Sequence, residues 1–271
     1  MEYRRLGGEL DVSIIGMGTW LTFDVTSDRD LAVRRDIIGE CVAHGVTLID
    51  SSPMYGKSEA VIGVTTESSR DKFVLATKVW MRGEAEGEAQ IARSFELMKT
   101  DRMDVVQVHN LLDWRVQLPT LERLKDEEKI GLVGLTHNSA GAYPEMMDIM
   151  RTGRVDCIQI PYNVVNRAVE EKVLPLAADM GIGVIVMEPL QKGRYVGGLR
   201  TQPDHSPLLE FGIKTWAQAL LAWVVSNPAV TSAIPATTRP ERIAENAVAG
   251  DAGDLPGEIR DFIREETERC L

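Results

Sequence analysis

A chain of 271 residues, 44% hydrophobic and 26% charged, can bury one large core and has neither the low apolar content of a disordered protein nor a fibrous repeat. Its 41 acidic and 30 basic side chains leave a net charge of −11, which repels polyphosphate surfaces and argues against nucleic acid or an anionic membrane as partner. Any phosphate-bearing ligand must then be met by local basic residues.

No apolar run of signal-peptide length follows Met1-Glu2-Tyr3-Arg4-Arg5, and no later stretch reaches the length of a membrane span, so a cytoplasmic location is expected. Cys41, Cys157 and Cys270 lie far apart without the paired spacing of a zinc or redox site and read as reduced, structural thiols. His44, His109, His137 and His205 show no ligand spacing either, so no metal is expected.

In chain order, short β-branched runs alternate with longer amphipathic segments. Residues 3–6, Gly7-Gly8 and residues 10–15 read as a hairpin around a Gly-Gly turn, a plug for a barrel floor. Strands are predicted at 12–15, 47–50, 73–78, 103–109, 130–136, 157–160, 183–188 and 231–234. Between them come helices at 28–44, 86–99, 118–128, 143–152, 168–180, 215–227 and 240–249, with a last helix at 256–270. Gly45, Gly153 and Gly181 suit helix stops. The one long irregular connection, 189–213, is expected to act as a lid.

No linker or composition shift divides the chain, so residues 1–271 are expected to form one domain. Eight buried strands alternating with helices predict an α/β fold, a (β/α)8 TIM barrel with an N-terminal hairpin and a C-terminal extra helix. The rival is an open, dinucleotide-binding sheet, which needs a glycine-rich turn with a third glycine and a helix directly after it. Gly16-Met17-Gly18-Thr19-Trp20 has two glycines, then a bulky Trp.

Polar residues at the C-terminal ends of barrel strands are the default catalytic set. Asp50 closes the second predicted strand, Tyr55 follows it in Ser52-Pro53-Met54-Tyr55-Gly56, Lys78 closes the third and His109 the fourth. Each alone has an ordinary reading: a turn cap, a loop cover, a solvated strand end, a hydrogen-bonded core histidine. Together they carry chemistry. Lys78 and Asp50 at neighbouring buried ends would pair and so remain charged. The ammonium would then stabilise a Tyr55 phenolate, lowering a pKa ordinarily about 10 toward the range of a general acid. His109 could donate a hydrogen bond to the carbonyl oxygen that Tyr55 protonates. Trp20, Trp80 and Trp114 sit beside these ends and, with His109, could wall a pocket for a small aldehyde, ketone or sugar; packing is an equal reading for Trp114.

The stretches Gly16-Met17-Gly18-Thr19-Trp20, Ile49-Asp50-Ser51-Ser52-Pro53-Met54-Tyr55-Gly56, Ala76-Thr77-Lys78, Val108-His109, Ile158-Gln159-Ile160-Pro161-Tyr162-Asn163 and Ile234-Pro235-Ala236-Thr237-Thr238 carry a resemblance. In order and spacing the chain resembles the aldo-keto reductase superfamily over nearly its whole length. The resemblance implies a catalytic tetrad of Asp50, Tyr55, Lys78 and His109 acting on a small-molecule carbonyl substrate, with hydride from a nicotinamide held extended across the mouth. It implies NADPH/NADP+ as cofactor. Thr19 and Asp50 would lie near the nicotinamide ribose; Gln159, together with groups in Thr136-His137-Asn138, would meet the carboxamide; Gly18, Trp20, Glu188, Pro189 and Leu190 would also touch the cofactor. Arg242, with Thr237, Thr238 and Asn246, would face the adenosine 2′-phosphate, and a guanidinium at a helix N-terminus is a sound anion site on physical grounds too.

Departures from the family pattern bear on the cofactor. Many members carry a lysine where Ala236 stands, an aromatic where Met187 stands and an asparagine where His137 stands, while Arg239 adds a cation nearby. These leave NADH open as an alternative. Many relatives also line the substrate pocket with a longer C-terminal segment than the residues after the last helix here. Three functions follow: an NADPH-dependent carbonyl reductase, expected first; an NAD(P)-dependent aldose or polyol dehydrogenase with Tyr55 as base; and a cofactor-sensing binding protein.

Overall fold

The computed structural model describes all 271 residues. Strands β1 (Tyr3–Leu6) and β2 (Leu10–Ser13) pair antiparallel around Gly7 and Gly8, both in the left-handed region. Leu6 and Val12 of this hairpin are wholly buried and pack against Leu48, Ala76, Val105, Leu132, Cys157, Ile185 and Ile234, the inward-facing residues of the barrel. The hairpin therefore plugs the barrel floor.

The barrel strands are β3 (Met17–Gly18), β4 (Leu48–Asp50), β5 (Val74–Val79), β6 (Met103–His109), β7 (Ile130–Thr136), β8 (Cys157–Pro161), β9 (Gly183–Met187) and β10 (Ser232–Ala233). Each pairs parallel with the next, and parallel bridges Ile15↔Ala233 and Gly18↔Ala236 close the ring. The eight-stranded (β/α)8 expectation holds, with one correction. Of the run at 12–15, predicted as the first barrel strand, Val12 and Ser13 lie in the hairpin's second strand, and the first barrel strand is the two-residue β3. Its β-branched residues made 12–15 the stronger signal, whereas β3 holds a glycine for packing reasons. A Cβ on Gly18 would stand 2.8 Å from the Ile234 carbonyl oxygen, and one on Gly16 would stand 3.0 Å from that of Leu48.

The helices are α1 (Asp28–Ala43), α2 (Ser58–Thr65), α3 (Glu84–Met98), α4 (Trp114–Asp126), α5 (Tyr143–Met150), α6 (Val173–Asp179), α7 (Arg194–Gly197), α8 (Trp216–Val225), α9 (Glu241–Ala247) and α10 (Gly257–Cys270). Gly45, Gly153 and Gly181 follow α1, α5 and α6 with φ of 68°, 71° and 67°, the left-handed stops expected of them. Two expectations need correction. The helix predicted at 168–180 is a 3-10 turn, Ala168–Glu170, followed by the shorter α6. Residues 189–213 are not irregular throughout: they hold the 3-10 turn Gln191–Gly193, α7 and a second 3-10 turn, Ser206–Phe211.

All ten residues of α8 are buried, and Thr215 and Gln218 close its start with a capping box. The indole of Trp223 on α8 donates to the Arg260 carbonyl at 3.1 Å, which fastens α10 to the barrel wall. No helix is long and apolar enough to cross a membrane.

Candidate active site

Asp50 ends β4 at the top of the barrel, almost fully buried. From β5 the Lys78 ammonium donates to both Asp50 carboxylate oxygens and to the Ser51 carbonyl, each at 2.7 Å. Gln107 on β6 and Gln159 on β8 add side-chain amide donors to the same carboxylate at 3.2 and 3.0 Å. A buried charge persists only when paired and hydrogen-bonded, and here both conditions are met. Burial works to strip the Lys78 proton, but Asp50, with Tyr55 and Glu59, outweighs it and holds the ammonium above the usual lysine value.

Tyr55 lies in the loop from β4 to α2. Its backbone is tied by Tyr55 N–H to the Ser52 carbonyl at 3.0 Å and by Ser58 N–H to the Tyr55 carbonyl at 3.2 Å. Gly56 follows at φ 61°, where a Cβ would collide with Asp24, the residue that accepts from the Lys57 N–H at 2.9 Å. The Lys78 nitrogen stands 5.4 Å from the Tyr55 ring centroid. It lowers the phenol's pKa as expected, but burial acts more strongly in the other direction, and the net shift is upward. The expectation of a lowered Tyr55 pKa is thus corrected: in the resting protein the phenol keeps its proton.

His109 ends β6, with its ring centroid 6.2 Å from that of Tyr55, edge-on. Burial, then the charges of Lys78 and His137, push its pKa down to about 3, so the ring is neutral. Its Nδ1 lies 3.1 Å from Ser52 Oγ. The structure therefore brings Asp50, Tyr55, Lys78 and His109 to one point above the core.

A cavity of about 460 Å³ opens over that point. Its walls include Gly18, Thr19, Trp20, Asp50, Tyr55, His109, Thr136, Asn138, Gln159, Glu188, Pro189 and Leu190, all named from the sequence. Met54, Ile234 and Pro235 from the sequence motifs and Lys192 and Gly193 from the 189–213 connection also line it, whereas Leu21, Thr22 and Asn110, loop residues without titratable or aromatic chemistry, were not foreseen. The Lys192 ammonium sits 4.6 Å from the Trp20 ring centroid and 3.4 Å from the Glu188 carboxylate, joining the start of the 189–213 connection to the loop after β3. Glu188, Gln191 and Lys192 all have positive φ, and the Asn163 side chain holds the segment by donating to the Glu188 carbonyl at 3.1 Å.

Other predicted residues stand outside the walls. Lys78 lies beneath them. Trp80 is partly exposed, and the Trp114 indole donates to Glu145 at 2.8 Å. Neither they nor His137, whose Nδ1 accepts from the Ser139 N–H, line the cavity. Thr237, Thr238, Arg242 and Asn246 lie beyond Ala236 on the way into α9, and Arg242 pairs there with Glu245.

One buried atom bears on a bound ligand. Gln159 gives its N–H to Asp50, while its carbonyl oxygen is buried without a partner in the cavity wall. An acceptor so placed suits an amide donor such as a nicotinamide carboxamide.

Fold and site together define a (β/α)8 barrel with a buried cluster of ionisable side chains at its C-terminal mouth. Residues 14–259 match the aldo/keto reductase family, and the chain belongs to that family of oxidoreductases. It is 25% identical to the NADH-specific methylglyoxal reductase of Escherichia coli (strain K12), over 89% of this chain and 90% of that protein. It is 31% identical to the aldo-keto reductase YhdN of Bacillus subtilis (strain 168), over 73% of this chain and 64% of that protein. An aldo/keto reductase from Klebsiella pneumoniae, solved with NADP and acetate, superposes with a TM-score of 0.84 at 28% identity, covering 98% of this chain and 95% of that one.

Proposed function

We propose that this protein reduces an aldehyde or ketone to the alcohol, with Tyr55 donating the proton. The observation that carries this reading is a proton-bearing phenol at the cavity wall, beside a charged lysine and a neutral imidazole. When bound, NADPH would supply the hydride. The Tyr55 hydroxyl and the His109 ring converge on the carbonyl oxygen, one to protonate it and one to orient it. Negative charge left on the phenol is stabilised by the Lys78 ammonium, and the Asp50 carboxylate keeps that ammonium protonated in a buried site.

Gln159, Thr136, His137 and Asn138 would hold the nicotinamide carboxamide; Gly18, Thr19, Trp20 and Asp50 its ribose; and Glu188, Pro189 and Leu190 the length of the cofactor. Thr237, Thr238, Arg242 and Asn246 would meet the adenosine end. NADH is the second reading for the cofactor, favoured because Arg242 is engaged by Glu245 and Ala236 brings no cation. The NADH-specific relative supports including it.

The test is steady-state oxidation of NADPH and of NADH with methylglyoxal, other aldehydes, ketones and sugars, by the wild type and Tyr55→Phe. Removing the proton donor should lower turnover by about 10²–10⁴-fold and leave cofactor binding intact. Undiminished turnover by Tyr55→Phe would refute the assignment.

A further inference from the structure

Ser52 stands two residues beyond β4 and is wholly buried. Nothing in the chemistry above uses it. Its hydroxyl has two neighbours: the Met54 backbone N–H donates to Oγ at 3.2 Å, and His109 Nδ1 lies 3.1 Å away on the other side. A backbone N–H is only a donor, so Met54 occupies a lone pair and the hydroxyl proton needs an acceptor elsewhere. His109 Nδ1 is the acceptor in reach. If Nδ1 carried a proton instead, Oγ would accept from two donors and its own proton would be buried without a partner, which folded proteins rarely tolerate.

The ring beside it is neutral and carries a single proton. A neutral imidazole that accepts at Nδ1 keeps its proton at Nε2. We propose that Ser52 is a positioning residue that locks His109 in the Nε2–H tautomer, so the ring presents a donor rather than a lone pair to the substrate carbonyl. With the other tautomer, the Nε2 lone pair would face the lone pairs of the reacting oxygen. The bond also constrains the ring, because Oγ sits on the turn between β4 and Tyr55, where the Tyr55 N–H donates to the Ser52 carbonyl.

The effect on turnover rests on the carbonyl-reducing reading of the site, but the tautomer belongs to the resting protein and is measured without substrate. With 15N-histidine labelling, only four rings contribute signals, and His109 is identified by their loss in His109→Gln. The wild-type ring should give a pyridine-type Nδ1 and a pyrrole-type Nε2 signal, unchanged from pH 5 to pH 9, as about 3 for the ring requires. In Ser52→Ala the two nitrogen signals should move toward each other. Turnover should fall by roughly tenfold with cofactor affinity unchanged, less than the about 10²–10³-fold loss when such a donor is deleted outright. Ser52→Thr, which keeps the hydroxyl, should restore both readouts.

An Nδ1–H ring in the wild type, or ring signals unmoved by Ser52→Ala, would overturn the proposal even if the enzyme is fully active. The converse result, an Nε2–H ring that responds to Ser52→Ala in a protein without reductase activity, would sustain the role of Ser52 and overturn the reductase reading.

Discussion

Lys78 and Asp50 show how much of this site is electrostatic bookkeeping between two buried residues. Lys78→Met leaves a buried carboxylate with only the Gln107 and Gln159 amides as donors, and loss of one partner of such a pair costs about 3–5 kcal/mol. Urea unfolding should report that loss, with part of it recovered in the double variant Lys78→Met, Asp50→Asn. A single variant as stable as the wild type would contradict the pairing argument. His109 makes a different demand. Its ring is depressed from 6.5 to about 3 in the folded protein, so between those values the unfolded chain binds a proton that the folded chain does not. Stability from this residue is therefore whole above pH 6.5 and falls as pH drops through that window. His109→Gln should flatten the slope of unfolding free energy over pH 4–6.5, and a slope identical to wild type would count against a neutral ring.

At the scale of elements, α2 is the instructive case, because no helix was expected there. Its sequence, Ser58–Thr65, mixes β-branched residues with a glycine and is too short to display a clear period. Tertiary packing makes it a helix: a Cβ on Gly63 would stand 2.1 Å from the Leu97 carbonyl, so α2 and α3 meet backbone to backbone. Gly63→Ala should destabilise by about 1–3 kcal/mol, measured by denaturant midpoint, because neither helix can retreat without disturbing the wall. Neutral behaviour would mean that the two helices part easily. α2 also carries Glu59, whose buried carboxylate accepts from Thr77 at 2.5 Å directly behind the strand that bears Lys78. The 189–213 connection was read as a lid from its length. It carries three short helical pieces, and its Lys192 stands over Trp20 at the cavity wall, a contact between residues 172 positions apart that no local pattern announces.

For the whole molecule, the acidic surface and the pocket pull in opposite directions on an anionic cofactor, so binding must come from the pocket. NADPH at one hundred times its dissociation constant should add about 2.7 kcal/mol to the unfolding free energy, and NADH at the same concentration should be compared directly. Equal protection by both would show that Arg242, held by Glu245, contributes nothing to the 2′-phosphate. No protection by either would remove the basis for a nicotinamide cofactor.

The barrel, the strand ends that carry Asp50, Tyr55, Lys78 and His109, and the glycine stops were all legible in the sequence. Strand runs buried on both faces and strand-end polar residues are local patterns, written within a few residues of where they act. What the tertiary structure alone decided is how those residues meet. The pairing of Ser52 with His109 spans 57 positions, and that of Gln159 with Asp50 spans 109. The displacement of the first strand to Met17–Gly18 depends on carbonyls of neighbouring strands, and the upward shift of Tyr55 depends on burial exceeding the pull of one ammonium. Each of these is a balance of distances and desolvation across the fold, and such balances exist only once the barrel has closed.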